Sequence, residues 1–159
     1  MSLAKVHRFS VLLSLLSLDS PRSAEEGGER LEKKMPYGLK MTFLVHMFVA
    51  GIVGVIFLLI PETYGSMSGF PVNIPAVVSV ERFIGAAFLA FATSSWFAYK
   101  EAMWDRVKIV VQMEIVMTIL GALAMVWGLL SGGFPVVDWM FVAILVVFAI
   151  AFITFYSRN

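Results

Sequence analysis

Residues 109–130 read IVVQMEIVMTILGALAMVWGLL, 22 residues with a single formal charge, Glu114. A helix needs about 20 apolar residues to cross roughly 30 Å of hydrocarbon, whereas a strand needs only ~10 and alternates polar with apolar. This stretch has the helical length and does not alternate, so it predicts a membrane-spanning helix. Three further runs share its character. Residues 41–60 carry His46 and no formal charge, residues 83–99 extend backwards through Arg82 and Glu81 towards Pro75, and residues 139–156 carry no charge. Pro61, Pro71 and Pro75, then Ser131-Gly132-Gly133-Phe134-Pro135, separate the runs, with Asp138 placed to cap the last. The expectation is an all-α, integral membrane, four-helix up-down bundle, with helices at about residues 40–60, 76–99, 107–130 and 138–156.

Composition agrees. The chain is 60% hydrophobic and only 14% charged, with a mean hydropathy of +0.88, against about 25% charged in an average soluble domain. That is too little charge to cover a water-soluble globule, so the bilayer is the implied partner. A net charge of +1 gives no reason to expect nucleic acid. The absence of cysteine excludes disulfides, thiol redox chemistry and cysteine-held clusters. Two histidines, one of them in the first ten residues, do not make an ordinary metal site, and no phosphate loop, nucleophile elbow or calcium loop occurs. No cofactor or metal is implied.

Lys and Arg set the orientation. Lys33, Lys34 and Lys40 precede the first helix, Lys100, Arg106 and Lys108 lie in or beside the second connection, and Arg158 follows the last helix; the opposite side has only Arg82. Cytoplasmic loops retain positive charge, so both ends of the bundle are expected in the cytoplasm, in a multi-pass protein of the cell membrane. Trp96, Tyr99 and Trp104 mark one interface and Tyr64, Trp127 and Trp139 the other, as amphipathic rings do at headgroup level. Residues 1–34 differ in kind. They hold six of the twelve Lys/Arg and five of the eleven Asp/Glu. The apolar run 9–18 within them has the look of a signal-peptide core or an interfacial helix, but the polar, turn-rich remainder reads as a disordered or dispensable leader. The bundle domain is residues 35–159, with Met35 or Met41 as candidate starts.

Polar groups at membrane depth are costly and so informative. His46 lies six residues beyond Lys40, Ser94 six before Lys100 and Glu114 six beyond Lys108, about 9 Å inside the cytoplasmic boundary at ~1.5 Å per residue. Each shares a helix face with small residues: His46 with Ala50 and Gly54, Ser94 with Ala86, Ala90 and Ala98, Glu114 with Thr118, Gly121 and Gly128. Small residues mark close helix approach, so His46, Ser94 and Glu114 are expected as a buried polar cluster. Gln112 lies far round the helix from Glu114 and stays out of it. Such a cluster serves either as interhelical hydrogen bonding or as a proton or ion site. Glu62, Glu81 and Arg82 form a second candidate cluster at the outer side, either an interfacial ion pair or an anchor for an acidic headgroup.

Arg82-Phe83-Ile84-Gly85-Ala86-Ala87, after a proline-containing outer loop and a first helix ending at Pro61, resembles a pattern in small four-helix DoxX-like prokaryotic membrane proteins. The resemblance covers residues 41–159. Some of those proteins are associated with quinone-linked redox assemblies, so the resemblance implies an accessory membrane subunit and transfers no catalytic residue. The expected function is accordingly a non-enzymatic accessory or self-associating membrane subunit, joined to copies of itself or to a membrane complex. The alternative is a proton-coupled transporter or ion pathway built on a buried carboxylate.

Overall fold

A computed structural model describes residues 33–69 and 74–159. The leader assigned to residues 1–34 lies outside these except for Lys33 and Lys34, and Pro71 lies outside them too. The described chain is helical: α1 is Tyr37–Leu59, α2 Pro61–Ser68, α3 Pro75–Lys100, α4 Trp104–Leu130 and α5 Trp139–Ser157, with a 3-10 turn Val136–Asp138 before α5. Among the described residues, α1, α3, α4 and the segment Val136–Ser157 are long and apolar enough to cross a membrane, which makes this an integral membrane protein. Phe83 and Ile109 are 75% and 65% exposed, as befits side chains that face lipid.

Proline explains both ends of the first connection. Pro61 lacks an N–H and disfavours helix at the residue before it, so α1 ends and Ile60 leaves helical geometry at φ −132°, ψ 44°. The same ring is preset for the first turn of a helix, so α2 starts there. This short helix stands where the sequence suggested only a loop. Gly69 closes it at φ 89°, a left-handed conformation open to glycine. Helix α4 begins three residues before its expected start, which puts Arg106 and Lys108 in its first turns rather than in the connection.

The four long helices form two hairpins. Helix α1 lies along α3 and α4 along α5; the hairpins then meet through α1 with α5 and, more sparsely, α3 with α4. Helices α1 and α4 therefore face each other across the diagonal. The α1–α3 crossing is set by two glycines: a Cβ on Gly85 would stand 2.8 Å from the Gly54 carbonyl oxygen and against the Leu58 backbone nitrogen. At the basic end, the chain before α1 is strapped to the α3–α4 connection. The Met35 N–H donates to the Ala102 carbonyl and the Trp104 N–H to the Lys33 carbonyl, both at 2.8 Å.

The tightly packed core sits in this same half. Leu39, Phe43, Val107, Val111 and Phe152 are at most 1% exposed and pack with Trp104 and Phe148. Lys100 stands over the Trp96 ring at 4.4 Å and Lys40 over Tyr99 at 5.2 Å, so the cations cover aromatic faces at this end.

Candidate functional site

The structure brings His46 and Glu114 together, with Ser95 in place of Ser94. His46 and Glu114 are buried, at 7% and 1% exposure, but the serine between them is Ser95 and not Ser94. The Ser95 hydroxyl lies 2.8 Å from His46 Nδ1 and donates to Glu114 Oε1 at 3.2 Å. Ser94 is only partly buried. The buried face of α3 runs through Val78, Glu81, Gly85, Ala92, Ser95 and Ala98; of the expected stripe Ala86, Ala90, Ser94 and Ala98 it shares only Ala98. Gly85, which brings α3 against α1, fixes the rotation of α3.

His46 Nε2 stands 3.6 Å from Glu114 Oε2, beyond good hydrogen-bond reach, and Oε2 has no hydrogen-bond partner among the described residues. Phe148 and Phe152 meet the imidazole edge-on, at centroid distances of 4.7 and 5.7 Å. Thr118 folds back to donate to the Glu114 carbonyl at 2.7 Å. Gln112 stays apart, as its helical phase requires, and donates to the Tyr156 hydroxyl at 2.8 Å.

Above this cluster the bundle does not close. A cavity of about 370 Å³ extends from His46 towards the opposite end. Its wall is apolar, with Ala50, Val53 and Phe57 from α1, Ile84 and Phe88 from α3, Met117, Gly121 and Met125 from α4, and Phe141 and Leu145 from α5. Its far end holds Tyr64, Glu81 and Asp138. Below His46, the packed core seals it from the basic end.

The charges expected at the opposite end divide. Arg82 and Glu62 form an ion pair at 2.8 Å, both side chains about half exposed. Glu81 does not join it. One residue back along α3, it turns inward, is 7% exposed, and leaves Oε2 without a hydrogen-bond partner. Asp138, assigned as a helix cap, makes no capping hydrogen bond. Its carboxylate instead accepts from the Tyr64 hydroxyl at 2.6 Å, tying α2 to the start of α5. Burial, then the adjacent Asp138 carboxylate, pushes the Tyr64 phenol above its usual range. Tyr64 also packs edge-on to Phe57 at 4.9 Å. No family model, curated protein or solved structure matches the chain. The cavity and its two polar ends therefore stand on their own geometry.

Asp138 and Tyr64 as cavity residues, and Ser95, were not singled out in the sequence. Asp138 reads as a cap and Tyr64 as an interface aromatic, and both lie in connections whose path the helices alone do not fix. Ser95 is separated from Ser94 only by the phase of α3, which the sequence leaves open.

Proposed function

We propose that this integral membrane protein binds a small, largely apolar molecule inside its bundle, as a non-enzymatic subunit of the cell membrane with both bundle ends in the cytoplasm. The observation that carries the reading is the cavity: about 370 Å³, apolar along its length and polar at both ends. Sites for small molecules are typically ~300–1,000 Å³, mostly apolar, with a few placed polar groups. Ile84 and Met117 both line the cavity and are 38% and 37% exposed. They flank the sparse α3–α4 contact, which favours entry from the lipid. An accessory role within a membrane assembly, which the DoxX-like resemblance implies, is compatible with this reading, since a subunit can hold a ligand for a neighbour.

The test is photolabelling with a small apolar diazirine in reconstituted protein, followed by peptide mapping. Saturable labelling at Met125 and Phe141, lost in Val53→Trp, supports the reading. Labelling confined to lipid-facing positions such as Phe83 and Ile109 would remove it.

A second reading, proton-coupled transport, is favoured by one feature. His46, Ser95 and Glu114 place a base, a hydroxyl and an acid in contact at the cavity floor. Glu114→Gln should then abolish proton-linked flux in liposomes while leaving labelling of the cavity intact. Absence of any flux in the wild-type protein leaves the cluster as interhelical hydrogen bonding.

A further inference from the structure

We propose that the outer end of the cavity holds the ammonium group of an amphipathic cation, with Glu81 as its counter-ion. This rests on the cavity being a binding site. Glu81 is 7% exposed, lines the cavity, and has a carboxylate oxygen, Oε2, with no hydrogen-bond partner among the described residues. A buried carboxylate without a partner is expensive, and Glu81 also faces the charges of Glu62 and Asp138. Arg82, the sole Lys or Arg between Lys40 and Lys100, is committed to Glu62 at 2.8 Å, and His46 lies at the other end of the cavity. Among the described residues no Lys or Arg pairs with Glu81.

The remaining polar groups define which head group fits. Ionised carboxylates only accept hydrogen bonds. The Tyr64 hydroxyl hydrogen is engaged by Asp138 at 2.6 Å. With Glu81 ionised, as a bound cation would hold it, the outer end is a set of acceptors, which matches a donating, positively charged group and opposes a carboxylate or a phosphate. A guest that brings carbonyl acceptors alone finds no free donor there. Phe57 and Phe141, with ring centroids 5.9 Å apart, stand beside Tyr64 and add aromatic faces that attract cations. The apolar wall towards His46 takes the rest of the molecule. The ammonium comes either from a free amine or from an ethanolamine lipid headgroup reaching in between α3 and α4 with its phosphate left outside the acceptor set.

Equilibrium dialysis of full-length protein in maltoside micelles, with empty micelles as blank, tests this with three ligands of one shape: 2-phenylethylammonium, 2-phenylethanol and 3-phenylpropanoate. The expected result at pH 7 is saturable binding of the amine at least tenfold tighter than the alcohol, and none of the carboxylate. Glu81→Gln should remove the amine's advantage and leave alcohol binding in place, which also shows that the variant is folded. Should Glu81→Gln not fold, Glu81→Asp, with its charge drawn back from the cavity, should weaken the amine selectively. Equal binding of amine and alcohol to the wild type, or an amine preference that survives in Glu81→Gln, overturns the counter-ion assignment while the cavity reading stands. No binding of either ligand overturns both. Competition by added phosphatidylethanolamine and not by phosphatidylglycerol identifies the lipid headgroup as the source, and amine binding without such competition identifies a free amine.

Discussion

His46 on α1 and Glu114 on α4 meet across the diagonal of the bundle, Nε2 to Oε2 at 3.6 Å, with Ser95 of α3 touching both. Three helices are thus joined at a single level of the bundle. Replacing Ser95 by Ala leaves His46 Nδ1 and Glu114 Oε1 without this partner, and should cost about 1 kcal/mol of unfolding free energy in detergent. Ser94→Ala, one position round the helix, should stay within about 0.5 kcal/mol. Equal effects of the two would misassign the buried face of α3.

The same contact predicts energetic coupling. A double-mutant cycle on His46→Ala and Glu114→Gln should give an interaction of about 1 kcal/mol, in the range found for residues that share a network. Strict additivity of the two stability changes would show that the diagonal contact contributes nothing to the fold.

Gly85 and Gly51 lie on helices of the same hairpin and should respond oppositely to a methyl group. A Cβ at Gly85 meets α1 backbone, including the Gly54 carbonyl oxygen at 2.8 Å, whereas one at Gly51 meets only the Ala92 Cβ at 3.9 Å. Gly85→Ala should destabilise by about 1–3 kcal/mol because backbone cannot move aside. Gly51→Ala should be neutral or stabilise by up to about 1 kcal/mol through helix propensity. Chemical or thermal unfolding of both variants separates the two cases.

Tyr64 carries the pH dependence outside the spanning helices. Its phenol is raised above the ordinary value near 10 by burial and by the Asp138 carboxylate. The folded state favours the neutral phenol, so this stabilisation is fully present below about pH 10 and declines as the pH rises beyond it. The stability difference between wild type and Tyr64→Phe should be constant from pH 7 to 9 and shrink above pH 10. In an ultraviolet titration, Tyr64→Phe should lose no phenolate absorbance that the wild type gains near pH 10.

The exposed Glu62–Arg82 pair should matter little. Both side chains are about half in solvent, and such pairs are typically worth 0–1 kcal/mol and are screened by salt. Glu62→Gln should therefore shift stability by less than about 1 kcal/mol.

The spanning helices were legible because length and hydropathy act over some 20 residues and tolerate local error. The depth of the His46 and Glu114 pair was legible for the same reason, since it needs only a count from Lys40 and Lys108. The choice between Ser94 and Ser95 was not. It turns on a rotation of one residue in α3, which depends on where Gly85 meets α1 and hence on tertiary contact. The inward turn of Glu81 away from Arg82 has the same origin. Helix α2 went unread because Pro61 signals both a stop and a start, and sequence weight fell on the stop. Asp138 has the composition of a cap, and its pairing with Tyr64 across 74 positions leaves no local trace.

The strap between residues 33–35 and 102–104 gives the two hairpins a common pivot at one end. Opposite it, about 30 Å away by helix rise, the contacts that cross between them among the described residues are side-chain ones such as Tyr64 with Asp138. Motion about such a pivot scales with lever arm: a tilt of ~5° displaces the far rim by ~3 Å over ~30 Å and the strapped end hardly at all. Any such tilt would strain the 2.6 Å hydrogen bond between Tyr64 and Asp138 far more than the strap.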